Sequence, residues 1–237
     1  MTNPNLTEIV CIFDKSGSMA PLAEDSRGGF NSFVEEQKKV AGSARLTLTL
    51  FDTATRVVHE SLALEDVPVM ESFPVGGGTA MYDAIGQTID LVGARLAAES
   101  EADRPSRVMV VVMTDGEENS STMYTQKDVS ARVKHQEEKY NWSFIFLGAS
   151  IDAEAVGEGI GMRTSNAMNY RPTSGGVRDV MKHMIGTVSA GRYASPGAYL
   201  AEVTLCCESA KDAQGFVKDL DAALADAVTS SSTGSPV

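Results

Sequence analysis

Apolar residues along this chain follow two rhythms. Some come in short unbroken or alternating runs that suit strands, and others recur at every third or fourth place, as a helix face requires. Ile9-Val10-Cys11-Ile12-Phe13 is unbroken and predicts a buried strand. Arg45 to Asp52 alternates Leu with Thr, which predicts a half-buried strand. Thr55 to Ser61 predicts another, so close behind that the two should pair as an antiparallel hairpin. Arg107 to Thr114 is almost entirely apolar, the pattern of a central parallel strand covered on both faces. Trp142 to Gly148 predicts a further buried strand, and Ala167 to Tyr170 an edge strand.

Helical spacing fills the intervals. Pro21 to Ser26 reads as a turn, followed by a helix carrying Phe30, Phe33 and Val34 inward and Glu35, Glu36, Lys38 and Lys39 outward. Glu65 to Val69 reads as a short turn. Met81, Ile85, Ile89, Val92 and Leu96 form a single stripe on a second helix, which opens directly after Gly76-Gly77-Gly78-Thr79. A polar helix is expected from Thr125 to Lys139, a short one from Asp152 to Ile160, and an amphipathic one from Thr173 to Ser189.

Strands alternating with helices predict an α/β fold: a doubly wound, Rossmann-like, mostly parallel sheet with one antiparallel edge strand and helices on both faces. This domain is expected over residues 1–189. Residues 190–198 read as a linker. A C-terminal strand-helix extension over 199–228 is suggested by alternating Tyr199, Ala201, Val203, Leu205 and Cys207, then by Phe216, Leu220, Leu224 and Val228 on one helix face. The Ser-rich residues 229–237 read as a disordered tail.

Composition narrows the function classes. With 43% hydrophobic and 22% charged residues the chain is ordinary globular material. A net charge of −12 argues against a nucleic-acid partner and against docking on anionic membranes, both of which need clustered Lys and Arg. The N-terminus lacks the features of a secretory leader, and no stretch approaches a membrane span. Cys11, Cys206 and Cys207 make no disulfide framework, so a cytoplasmic protein is expected. The Asn-x-Ser/Thr sequons at Asn5, Asn119 and Asn141 are then chance matches.

The chemistry concentrates in three loops. The first strand ends in Asp14-Lys15-Ser16-Gly17-Ser18, with oxygen donors at alternate positions, a set that suits a hard cation better than acid/base catalysis. Gly77-Gly78-Thr79 is the second, and Thr114-Asp115-Gly116 the third, with Glu117 and Glu118 expected to rim the same cleft. Asp83 is expected either to support the site from behind or to be a solvated carboxylate in the first helical turn. Gly76 to Gly78 is no phosphate loop, since no Gly-Lys-Ser/Thr follows, and Gly157-x-Gly159-x-Gly161 reads as a helix end. His59, His135 and His183 share no motif, and the methionines read as core fillers.

Taken together, D-x-S-x-S, the spaced G-G-T and the strand-end T-D-G resemble the metal-ion-dependent adhesion site of the von Willebrand factor A (VWA) family, in order and spacing, over roughly residues 8–189. Within that family the chain looks most like the small intracellular bacterial or phage members. The resemblance implies a divalent cation, Mg²⁺ or else Mn²⁺ or Ca²⁺. Ser16 and Ser18 would be direct ligands, Thr79 a ligand in the partner-bound state, and Asp14 and Asp115 would hold coordinated waters. It implies a non-enzymatic module whose cation bridges to an Asp or Glu of a protein partner.

Two other functions compete. A Mg²⁺-dependent phosphatase or phosphotransferase also places an Asp at a strand end, but a phosphatase of the Asp-x-Asp type needs an acid where Ser16 stands, and so lacks its proton donor. An assembly protein self-associating through the C-terminal extension is the other.

Overall fold

The computed structural model describes residues 2–192, which belong to one compact unit ending at Arg192. The expected extension over 199–228, the tail over 229–237 and Cys206 and Cys207 lie outside the described residues.

Six strands form one sheet in the order β3-β2-β1-β4-β5-β6. β1 (Asn3–Asp14) lies between β2 (Ser43–Phe51) and β4 (Pro105–Thr114), parallel to both. β3 (Thr55–Ala63) runs antiparallel to β2 at one edge. β5 (Ser143–Ala149) and the short β6 (Ala167–Tyr170) continue the parallel sheet on the other side. Successive side chains of a strand face opposite ways, which explains the unbroken run in β1. Ile9, Cys11 and Phe13 enter one core with α1 (Ala23–Lys39) and α5 (Ser174–Arg192). Val10 and Ile12 enter the other with α2 (Met81–Ala98), α3 (Gln126–Tyr140) and α4 (Ala153–Gly159). The mostly parallel, doubly wound sheet with one antiparallel strand is the expected one. Among the described residues no helix is long and apolar enough to cross a membrane.

Three local expectations are corrected. β2 is buried on both faces rather than one, because its threonines find partners inside. Thr47 Oγ1 donates to Glu8 Oε1 at 2.9 Å, and Thr88 Oγ1 on α2 donates to Thr49 Oγ1 at 3.1 Å. Glu8 is itself wholly buried, 2.7 Å from Arg95 and 3.2 Å from Arg45, as a buried acid requires. Secondly, Pro21 to Ser26 is not a turn: a 3-10 turn spans Gly17–Leu22 with Pro21 inside it, and α1 already starts at Ala23. Pro21 stands just ahead of Leu22, the N-cap of α1, so its missing amide takes no hydrogen bond from that helix. Thirdly, α5 continues to Arg192, so residues 190–192 are helical rather than linker. The buried Arg192 guanidinium donates to the carbonyls of Gln37, in the last turn of α1, and of Gly42 just beyond it, which fixes that last turn of α5.

Candidate metal centre

In a doubly wound sheet, ligands gather past the carboxyl ends of the strands where the winding direction reverses. Here the reversal lies between β1 and β4, and those strands end in Asp14 and in Thr114 followed by Asp115. The topology thus places the two expected carboxylates side by side from positions about a hundred residues apart.

Asp14 is fully buried and works in two directions. Its Oδ1 accepts from the Ser16 amide at 2.6 Å, which turns the chain sharply after β1. Its Oδ2 accepts from Thr114 Oγ1 at 2.6 Å, which ties the end of β4 to the end of β1. Ser16 Oγ lies 3.0 Å from Ser18 Oγ, and Ser18 Oγ donates to Asp115 Oδ1 at 2.6 Å. Thr79 is buried and arrives from the loop ahead of α2. An ideal Cβ at Gly116 would lie 3.5 Å from Thr79 Oγ1 and 3.6 Å from Ser18 Oγ, so both hydroxyls flank this one position. All five residues singled out from the sequence are therefore brought together.

Asparagine, aspartate and glutamate side chains hold the loops in place; of these the sequence offered a supporting role only for Asp83, as one of two alternatives. Asn119 clamps Thr79 like a strand neighbour: its Oδ1 accepts from the Thr79 amide at 2.9 Å, and its amide donates to the Thr79 carbonyl at 3.0 Å. Glu118 is not a rim carboxylate. It accepts from the amides of Tyr82, Ser120 and Ser121 at 2.9, 2.8 and 2.7 Å and from Ser121 Oγ at 2.7 Å, fastening its loop to the start of α2. Asp83 is buried rather than solvated and accepts from the amides of Thr122, Met123 and Tyr124. Of the acids following Asp115 only Glu117 is exposed. The partners on other segments lie 36 to 41 residues away and are backbone amides, so no periodicity betrays them, and Glu118 also binds Ser120 and Ser121 within its own turn. The one available signal was the density of Asn, Ser and Glu after Asp115.

Burial pushes both Asp14 and Asp115 above the ordinary carboxylate range. The bonds from Thr114 and Ser16 counter this at Asp14, to which the charge of Asp115 adds, and the Ser18 bond counters it at Asp115. Among the described residues no Lys, Arg or His pairs with either. Lys15, between Asp14 and Ser16, forms its ion pair with Asp52 at the end of β2. Tyr170 at the end of β6 donates to the Thr114 carbonyl at 3.2 Å, bracing the site from below. Burial, then the charges of Asp115 and Asp14, push its phenol upward.

Three hydroxyls and two buried carboxylates lacking a basic partner fit a small hard divalent cation, which prefers oxygen ligands. Among the described residues no three His, Cys, Asp or Glu side chains gather as a metal-binding group, so a cation here relies on hydroxyls and water. A groove of about 890 Å³ lined by Leu96, Arg104, Tyr140 and Trp142 opens at the opposite end of the sheet and plays no part in this site.

No family model and no curated protein sequence matches this chain. Solved structures do match. Proximal thread matrix protein 1 from the mussel byssus, with a zinc-occupied MIDAS motif, aligns with a TM-score of 0.56 at 13% identity, over 79% of this chain and 49% of its own. The manganese-loaded TRAP protein of Plasmodium vivax aligns with a TM-score of 0.53 at 14% identity, over 78% of this chain and 75% of its own. A von Willebrand factor type A protein from Catenulispora acidiphila aligns at 0.50 and 16% identity, over 78% and 42%. This chain spans about half the length of the mussel and Catenulispora chains. At such identities the likeness is one of fold, and the chain has the fold of von Willebrand factor A domains.

Proposed function

We propose that this protein is a non-enzymatic binding module whose Asp14, Ser16, Ser18, Thr79 and Asp115 hold a divalent cation, Mg²⁺ or Mn²⁺ before others, and that the cation bridges to an Asp or Glu of a partner protein. The observation that supports the reading is the cluster of the Ser16 and Ser18 hydroxyls beside two buried carboxylates that no basic side chain neutralises, with Thr79 Oγ1 and Ser18 Oγ on either side of Gly116. A bound cation would supply an open coordination position, kept strongly electropositive because its direct ligands are neutral hydroxyls.

The chain's own residues divide that task. Asp14 and Asp115 supply negative charge without projecting to the surface, since each is tied down by hydrogen bonds from Thr114, Ser16 or Ser18. Ser18, exposed at the mouth, gives its proton to Asp115 and keeps its oxygen lone pairs for a ligand role. Ser16 occupies the place where a phosphatase would need its proton-donating acid, so the arrangement is better suited to holding than to turnover. The internal use of Glu118 supports the same reading: one of the two acids that would repel a carboxylate partner is spent on backbone amides. A cytoplasmic setting belongs to the same proposal.

The test is capture of partners from the source cell by the immobilised protein, with and without a chelator. A partner retained with Mg²⁺ and released by the chelator supports the module. Retention that ignores the chelator, or hydrolysis of a generic phosphate ester with Mg²⁺, overturns it.

A further inference from the structure

The Asp14–Ser18 loop sends its alternate residues to different tasks. Asp14, Ser16 and Ser18 gather at the candidate site, while Lys15 between them pairs with Asp52. The pair is sheltered, with only 16% of the Lys15 side chain and 21% of that of Asp52 exposed. It also marks a crossing of three chain segments. The Lys15 amide donates to the Phe51 carbonyl at 2.7 Å, and the Lys15 carbonyl accepts from the Gly76 amide at 2.9 Å. The Asp52 carbonyl accepts from the Ala80 amide at 2.8 Å, one residue beyond Thr79. Asp52 Oδ1 meanwhile accepts from the Ala54 amide at 2.9 Å, so its carboxylate is fixed from both sides.

An ammonium one residue from both Asp14 and Ser16 opposes a dication unless something cancels it, and a half-sheltered charge is only partly screened by salt. We propose that Asp52 is a positioning residue of the cation site: it cancels the charge of Lys15 and ties the segment carrying Thr79 to the loop carrying Ser16 and Ser18, and so raises the affinity for a divalent cation. The inference rests on the metal-binding reading above and adds to it a residue outside the ligand set.

Removing either partner shifts the local charge by one unit in opposite directions, so affinity should follow the summed charge of positions 15 and 52. Mn²⁺ is titrated calorimetrically into the full chain and three variants. Asp52→Asn is expected to bind about tenfold more weakly and Lys15→Met about threefold more tightly, while the double variant returns to within about twofold of the unaltered protein. The Asp52→Asn deficit should also shrink as salt is raised to about 0.5 M, which a loss of loop shape alone would not do. Unchanged affinity in Asp52→Asn overturns the proposal, and so does a double variant as weak as Asp52→Asn. Should Asp52→Asn fail to fold, Lys15→Met decides: tighter binding supports the proposal, and unchanged or weaker binding overturns it. Absence of Mn²⁺ binding by the unaltered chain would overturn the metal reading itself and this inference with it, an outcome distinct from the others.

Discussion

Ser18 Oγ donates to Asp115 Oδ1 at 2.6 Å across 97 residues of sequence. That single bond joins the loop after β1 to the loop after β4 at the place where the sheet reverses its winding. It also fixes the orientation of the hydroxyl. With its proton committed to Asp115, the Ser18 oxygen presents only lone pairs elsewhere, as a cation ligand must. Ser18→Ala therefore removes a ligand and releases Asp115 together. Because Ser18→Ala strips a hydrogen bond from the buried Asp115 carboxylate, unfolding stability in chelator should fall by about 1–2 kcal/mol. Mn²⁺ affinity should fall by about tenfold or more, in the range seen when the support of a metal ligand is lost. Calorimetric titration beside a thermal melt checks both, and an unchanged affinity would remove Ser18 from the site.

Asp14 offers a sharper version of the same test. Asp14→Asn keeps an acceptor for the Ser16 amide but deletes a buried charge that burial already disfavours. Without cation, the variant should melt at or above the temperature of the unaltered chain. With Mn²⁺ at about 100 times its dissociation constant, the unaltered chain gains about 2.7 kcal/mol by mass action and the variant gains nothing. A variant that is still stabilised by Mn²⁺ would show that Asp14 holds no cation.

The contrast between Asp14 and Glu118 shows what a sequence exposes and what it hides. Asp14, Ser16 and Ser18 are legible because a long apolar strand ends there and places its loop at the carboxyl edge of the sheet; local pattern and topology say the same thing. β1, β4 and β5 are legible for the same reason, since their burial on two faces leaves unbroken apolar runs. The buried threonines of β2 mislead, because Leu-Thr alternation looks half-exposed until Glu8 and Thr88 are found beneath it. Glu118 and Asn119 are silent in these roles, as their partners are amides on segments 35 or more residues away or in tight turns of their own, and Asp83 could be read two ways until its amide partners are found. Lys15 and Asp52 meet only because β1 and β2 are neighbours.

The two glutamates after Asp115 should behave oppositely. Glu118→Ala strips four hydrogen bonds from the loop and the start of α2, and should cost roughly 2 kcal/mol in urea denaturation, since hydrogen bonds to a charged group are among the stronger ones. Glu117→Ala, at an exposed position, should stay within about 0.5 kcal/mol. Were Glu118 instead a free rim carboxylate, its removal would leave stability alone and act only on cation affinity.

Asp52 supplies a pH dependence with a definite sign. Burial alone would raise its carboxyl, but the bond and charge of Lys15 and the amides of Ala54 and Thr53 outweigh this and hold it below the ordinary carboxylate range. A carboxyl depressed on folding contributes stability above its unfolded value of about 4, and that contribution disappears as pH falls through the lower folded value. In chelator, Asp52→Asn should therefore be less stable than the unaltered chain by about 1 kcal/mol at pH 7. The gap should begin to narrow near pH 4, as the unfolded carboxyl takes up its proton, and close only as pH falls through the lower folded value, where Asp52 itself carries no more charge than the asparagine. Urea denaturation of both proteins from pH 7 down to about 2.5 measures it. A gap that stayed constant over that range would assign the loss to the Ala54 hydrogen bond rather than to the ion pair with Lys15.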